Sequence, residues 1–251
     1  MSPLFAKVWM RNCRVWRKYV TASLIGNLGQ PLLFLAAMGF GLRGEITDIN
    51  GMTYLQFIAP GLVTSAVMYS AAFETTYGSY TRLSTQRTYE AILMTLLTPS
   101  DLALGEITWG ATKGIISGFV MFAAFPIFGV TPAATSVFLF PVLFLEGMAF
   151  ASLGLIMTSL ARNYEFFNYF TSLFITPLFL FSGIFFPLEN LTPWIQGIIR
   201  VLPLAHVVEA SRVLCYGGSM GDVLVGVSVT AFHAAAFTWI ATILLRRRLI
   251  K

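Results

Sequence analysis

Residues 135–160 read TSVFLFPVLFLEGMAFASLGLIMTSL, and Glu146 is the single charged side chain in that run. A helix needs about 20 apolar residues to cross the roughly 30 Å hydrocarbon core of a bilayer. This stretch has that length, but so would the centre of a large soluble core, and the rest of the chain must decide. Of its 251 residues only 11% are charged and 57% are hydrophobic, with a mean hydropathy of +0.76. A soluble domain carries roughly 25% charged residues. A chain with less than half that share cannot cover its surface against water. Lipid is therefore the solvent, and the expected fold is an all-α integral membrane protein forming one domain over 1–251.

Five further apolar stretches flank the first, at 20–42, 55–78, 102–128, 166–185 and 221–245. The breaks between them carry charge or turn signals, at 43–50, 82–101, 129–132 and 162–165. The first stretch exceeds the h-region of a signal peptide, about 7–15 residues, and its charged prefix is too long, so it reads as a retained span. Six spans put both termini on one side. With that side cytoplasmic, twelve of the sixteen basic residues lie inside: Lys7, Arg11, Arg14, Arg17, Lys18, Arg82, Arg87, Arg162, Arg246, Arg247, Arg248 and Lys251. Arg43, Arg200 and Arg212 lie outside and Lys113 falls within a span, so the positive-inside rule puts both N and C termini in the cytoplasm. The net charge of +5 sits beside apolar runs, which suits topology and anionic headgroups; nucleic acid is not an expected partner.

Residues 1–19 form a separate element. Lys7, Arg11, Arg14 and Lys18 follow helical spacing on one face and Phe5, Trp9, Cys13 and Trp16 on another, as in an N-terminal amphipathic helix lying in the interface. The plainer reading is a charged topology anchor. Cys13 and Cys215 fall on opposite sides of the membrane, which excludes a disulfide between them. Residues 82–97 hold a short helix built on QRTYEAILMTLL (86–97). Thr98-Pro99-Ser100-Asp101 then reads as a helix start, with Thr as N-cap and Pro at the first position. An apolar helix on the cytoplasmic side needs a cover, whether a soluble partner, the lipid interface or packing within the chain. On the outside, 187–217 is too apolar for a solvated loop, while Pro187, Pro193 and Pro203 forbid one continuous helix. External re-entrant half-helices before the last span suit these breaks, and a simple external lid is the alternative.

These two loops carry a resemblance to a known family. TPLFLFSG at 176–183, Phe186-Pro187, Leu202-Pro203-Leu204-Ala205-His206 and Arg212 resemble the closing signature of ABC-2 type transporter permeases. Within that family they look most like the NodJ-type permeases that export lipo-chitooligosaccharide nodulation factors. Further matching pieces are SLIGNL at 23–28, Phe73-Glu74-Thr75, QRTYEA at 86–91, Leu104-Gly105-Glu106 and LLRRRL at 244–249, so the likeness is collinear from about residue 10 to the end. The resemblance implies a homodimeric permease of a bacterial cytoplasmic (inner) membrane that moves an amphipathic glycolipid or lipo-oligosaccharide outward. It implies two copies of a separate ABC ATPase subunit, NodI-like, which would bind the ATP and Mg. The family's ATPase-coupling helix would fall on 82–97, with Arg82, Gln86, Arg87, Tyr89, Glu90, Leu93 and Met94 as coupling residues. Its re-entrant motif would include Ser182, Gly183, Pro187, Pro203, His206 and Arg212. No Gly-x-x-x-x-Gly-Lys-Ser/Thr segment occurs in the chain, so it is expected to bind no cofactor and to hydrolyse no ATP itself.

Glu74, Glu106, Lys113 and Glu146 fall within predicted spans, where a charge at the centre costs roughly 2.5–3.5 kcal/mol. Glu74 and Glu106 lie near cytoplasmic ends, where snorkelling is the plain explanation. Glu106 and Lys113 share a face, but a bridge across seven residues is stretched, which turns Lys113 toward a carboxylate on a neighbouring helix. With Phe166, Tyr169 and Phe170, these four are the candidate substrate path, although aromatics at such positions also serve as belt and packing. His206 and His233 are too far apart for a metal site. No nucleophile–His–acid set and no Cys/His ligand spacing is present, so neither catalytic nor metal residues are expected. The competing readings are a drug or other lipid exporter of the same architecture, an ion-coupled secondary transporter using Glu106, Lys113 and Glu146, and a membrane enzyme acting on lipid.

Overall fold

The computed structural model describes residues 4–41, 49 and 51–250, apart from the side chains at 27, 28, 30, 39 and 40. The described elements are helical: α1 (Phe5–Trp16), α2 (Val20–Gly41), α3 (Tyr54–Phe73), α4 (Thr88–Leu93), α5 (Pro99–Ala123), α6 (Leu139–Leu160), α7 (Glu165–Phe170), α8 (Thr176–Phe181), α9 (Pro193–Val201), α10 (Pro203–Tyr216) and α11 (Met220–Leu249). An isolated bridge between Ile49 and Met52 closes the turn into α3. Two of the long helices start on a capping box, Thr53 with Gln56 and Thr98 with Asp101, each satisfying orphan N–H groups at an exposed start. The second is the one the sequence signals at 98–101.

Among the described residues four helices are long and apolar enough to cross a membrane: Tyr54–Thr85, Pro99–Phe128, Ala134–Leu160 and Met220–Leu249. A fifth is counted if Val20–Gly26 and Pro31–Met38, bent by 45°, make one span. Pro31 removes an N–H from the helical ladder there, a known cause of such a bend. α7, a π-helical turn at Thr171–Ile175 and α8 form one shorter apolar helix, Glu165–Phe181, where the sequence places a span at 166–185. The chain is thus a multi-pass membrane protein. The expected break at 43–50 lies almost wholly outside the described residues.

One expected boundary is corrected. The sequence ends the second span near 78 and leaves Arg82 in a cytoplasmic loop. Instead the helix continues through two π-helical segments, Glu74–Gly78 and Thr81–Thr85, and Arg82 is buried. Charge normally stops a span because it needs water, but Arg82 has two carboxylates to meet inside the bundle.

Small residues set the packing, as is usual where lipid supplies no hydrophobic drive between helices. A Cβ at Gly118 would press on Leu143, one at Gly147 on Ala111, and one at Gly110 on Ala151, so α5 and α6 run antiparallel at close range. α6 and α11 run parallel: Ser152 meets Thr238 at 2.8 Å, and Arg248 donates to the carbonyls of Thr158 and Ser159. α1 lies across the start of α5, where Gly105 admits Phe5 and Val8. Hence α1, the start of α5 and the ends of α6 and α11 share one end of the bundle. At the other end Ala133 donates to the Cys215 carbonyl and Thr135 to that of Leu214. The two free cysteines are accordingly at opposite ends.

Candidate functional site

Charged side chains in apolar helices must find partners, and four of them find each other. Glu74, at the end of α3, and Glu106, in the second turn of α5, are bridged by Arg82: its Nη1 lies 2.9 Å from Glu74 Oε1 and its Nη2 2.6 Å from Glu106 Oε2. Lys113 Nζ closes on Glu74 Oε2 at 2.7 Å. The row Lys113–Glu74–Arg82–Glu106 alternates in sign and sums to zero, which is what permits it to be buried. Neutral donors occupy the remaining lone pairs. Trp109 Nε1 donates to Glu74, and Asn12 Nδ2 and Ser79 Oγ donate to Glu106. Every carboxylate oxygen in the row has at least one donor, which a buried ion network needs, while Arg82 Nε is buried without a hydrogen-bond acceptor among the described residues.

The network fastens three elements together at the end that carries α1. Asn12 brings in α1, which is further held by Trp9 Nε1 donating to Thr112 at 3.0 Å and by Trp9 and Trp16 packing edge-on against Trp109. The two π-helical segments place Glu74, Ser79 and Arg82 on the side facing α5. A π-turn widens the helix by one residue and recurs at functional sites. α4 follows directly. It is turned away from the α3 axis at Arg87, the one non-glycine residue with positive φ (48°) among those described. Such a conformation costs about 1–2 kcal/mol and is kept only where its surroundings enforce it.

α4 has an inner and an outer side. Tyr89 is fully buried within electrostatic reach of Glu106 and Arg82, and burial pushes its phenol well above the usual range. Gln86, Arg87 and Glu90 are exposed, and Met94 and Leu96 keep 87% and 89% of their surface. Of the residues expected to face a coupling partner, Gln86, Arg87, Glu90 and Met94 are on the surface and Leu93 is half-buried. Arg82 and Tyr89 point inward, a correction with a plain cause: each fills a site in or beside the ion network.

The expected substrate path does not assemble as one unit. Glu74, Glu106 and Lys113 come together but are spent on one another and on Arg82. Lys113 pairs across helices with Glu74 rather than along its own helix with Glu106. Glu146, wholly buried in the middle of α6, has no hydrogen-bond partner for either oxygen among the described residues. Phe170 stacks on Phe174 at 5.8 Å, Phe166 is half-buried and Tyr169 is exposed; no described contact ties the three to the charges.

At the opposite end the proline-broken segment is closed by Arg212. Its guanidinium lies 3.7 Å over the Phe57 ring, Nε donates to the Phe57 carbonyl, and Nη2 donates to the carbonyls of Gly183 and Ile184. Gly183 takes a positive φ of 79°, which turns those carbonyls toward the arginine. Ser182 Oγ donates to the Phe179 carbonyl, His206 Nε2 lies 2.7 Å from the Arg200 carbonyl, and Pro203 begins α10. Pro187 precedes a 3₁₀ turn at Leu188–Asn190. Asn12, Ser79 and Trp109 were not signalled by the sequence, and the contact made by Arg248 was not either. The first three are single positions in their helices and Arg248 is one of a basic run, and neither pattern says which neighbour each meets.

The sequence over residues 3–216 matches the ABC-2 type transporter family. Nodulation protein J of Rhizobium meliloti (strain 1021) is 37% identical over 243 residues, covering 97% of this chain and 93% of that protein. Nodulation protein J of Bradyrhizobium diazoefficiens is 34% identical over 244 residues, with 97% and 93% covered. The inner membrane transport permease YadH of Escherichia coli (strain K12) is 24% identical over 212 residues, 84% of this chain and 81% of that one.

Proposed function

The chain belongs to the ABC-2 type transporter family, and from that premise we propose that it is the permease subunit of an ATP-driven exporter whose ATPase subunits are separate chains. The observation that carries this reading is α4. It is a short helix seated on the buried Tyr89 beside the ion network, and Arg87, Glu90, Met94 and Leu96 in and around it are outward with no covering element among the described residues. An exposed apolar and charged ridge packed on the π-helical end of α3 and on α5 suits a protein partner that pushes on it. On this reading the end bearing α4 and both termini faces the cytoplasm of a bacterium with the protein in its inner membrane. α2 and Glu165–Phe181 complete six crossings, and α9 and α10 re-enter from the outside. The working unit is a pair of permease chains with two ATPase subunits, which hold the ATP and Mg. The cargo is an amphipathic glycolipid or lipo-oligosaccharide, a reading supported by the extent of identity to the Nodulation protein J relatives.

Inverted vesicles carrying the permease and its ATPase test the assignment. Arg87→Glu combined with Glu90→Arg is expected to abolish ATP-driven uptake of glycolipid while leaving the amount of folded permease unchanged. Undiminished transport in that variant would refute a coupling role for α4. Glu146 is the one observation that favours an ion-coupled transporter instead, because a lone buried carboxyl can carry a proton. Uptake driven by an ion gradient in vesicles without ATP would decide for that alternative.

A further inference from the structure

α9 divides two unlike cavities at the end of the bundle opposite α4. On one side Ile195 and Ile198 face Leu173, Phe174, Pro177 and Phe181 across a groove of about 560 Å³ that contains almost no polar surface. On the other, Arg200 lines a cavity of about 300 Å³ with Ser182, Glu189, His206, Glu209 and Arg212, half polar and half apolar. Both volumes suit small-molecule ligands, about 300–1,000 Å³. The two adjoin along the chain itself. Phe181 and Ser182 are consecutive, as are Ile199 and Arg200, and within each pair the first residue lines the groove and the second the polar cavity.

Chemistry narrows what could fill both. The groove offers dispersion and nothing else, so its occupant there is a hydrocarbon. The polar cavity sets Glu189 and Glu209 against Arg200 and Arg212, so its fixed charges cancel and it gains little from a charged guest. Groups that both donate and accept suit such a lining, and hydroxyls are the common ones. Arg212 has a donor to spare: Nε and Nη2 are committed to backbone carbonyls, while Nη1 has no acceptor among the described residues. We propose that the paired cavities form one site for a lipid with a single acyl chain and an uncharged, hydroxyl-rich head, the chain lying under α9 and the head above it. The inference rests on the exporter reading and deepens it, since it gives the cargo a binding site at the end opposite the motor.

The test is photo-crosslinking in the full-length chain reconstituted in phospholipid nanodiscs. A photoreactive phenylalanine analogue replaces Ile198 or, separately, Leu173; both side chains are exposed, so folding is not at stake. Trp239, exposed on α11, serves as the reference position. The probe is radiolabelled N-palmitoyl chitotetraose, with dodecyl maltoside and dodecyl phosphocholine as competitors. Labelling at 198 and 173 is expected to saturate and to be displaced by the maltoside at least tenfold more readily than by the phosphocholine. Shortening the probe's acyl chain should weaken it by up to about fourfold per methylene, and Glu209→Gln with Arg200→Ala should cut labelling at 198 severalfold. Equal labelling at Trp239, or equal displacement by both competitors, would mean ordinary bilayer lipid covers the groove and would overturn the site. A cross-link from 198 to a second copy of the chain in place of the probe would overturn it as well. ATP-driven export by the wild type is scored with the ATPase present. Loss of export with head-selective labelling intact sinks the motor reading alone, and export without such labelling sinks the site alone.

Discussion

The row Lys113–Glu74–Arg82–Glu106 makes a quantitative demand. At the 2.6 Å separation of Arg82 and Glu106, an effective dielectric of about 20 gives an attraction of ~6 kcal/mol. Desolvation of the two ions offsets most of it, so the intact pair contributes little net stability. Removing one member is different, because the other stays buried and uncompensated. Arg82→Met leaves two carboxylates facing Lys113 alone, and Glu106→Gln leaves two cations facing Glu74 alone. Each single change should cost about 3–5 kcal/mol. The double variant keeps the Lys113–Glu74 pair at 2.7 Å with no surplus charge. Its loss should therefore be about that of one single variant rather than the sum, a coupling of at least ~2 kcal/mol, within the range seen for contacting residues.

The chain supplies its own reporter for this cycle. Cys215 is fully buried at the far end of the bundle, and burial pushes its thiol up to about 12, so it reacts only when the bundle opens. In a Cys13→Ser background, Cys215 labelling against rising sodium dodecyl sulfate in mixed micelles reads global unfolding. Additive losses in the double variant, with no coupling beyond ~0.5 kcal/mol, would refute the account of a charge-balanced network.

Three further outcomes follow from single contacts. Gly105→Ala should lift α1 from α5, since the new Cβ would lie 2.8 Å from the Phe5 carbonyl oxygen and on Val8; a cost of about 1–3 kcal/mol should appear as faster labelling of Cys13 while Cys215 stays protected, and Gly26→Ala, which meets nothing within 4 Å, should change neither. Arg248→Ala should loosen the joined ends of α6 and α11 by about 1.5–3 kcal/mol, because one guanidinium nitrogen serves the carbonyls of Thr158 and Ser159; amide exchange confined to those last turns is the readout. Glu146→Gln should leave stability within about 1 kcal/mol, since neither oxygen has a described partner to lose, and a large drop in the unfolding midpoint would show that the carboxyl is held by something after all.

The features legible in the sequence are those that depend on runs of residues. Long apolar stretches, the amphipathic start, the cap at Thr98 and the prolines at 187, 193 and 203 are local patterns, and each has its counterpart in the fold. What escaped depends on pairs brought together from afar. Arg82 looked like the end of a span because a lone arginine in lipid is costly, and nothing local reveals Glu106 twenty-four positions on as its partner. Asn12 is separated from Glu106 by 94 residues and Arg212 from Phe57 by 155, distances at which no periodicity carries information. A hint was available for Lys113: the poor geometry of a bridge to Glu106 pointed to a neighbouring helix. It did not say which helix, and Glu74 is its answer.

The same energetics bear on how a push at α4 would travel. Pulling Glu106 off Arg82 strands a buried charge at about 3–5 kcal/mol, so the end of α3 and the start of α5 move together or not at all, and Asn12 ties α1 to the same carboxylate. Compliance has to lie elsewhere, in parts whose geometry is already irregular. Arg87, held at a positive φ between the π-helical end of α3 and α4, is the nearest such part to the exposed ridge. The π-turn at Thr171–Ile175, which joins α7 to α8 beside the groove under α9, is another. A lever needs a stiff arm and a soft joint, and in this chain the stiffness comes from the four charges that an apolar helix bundle would otherwise be expected to exclude.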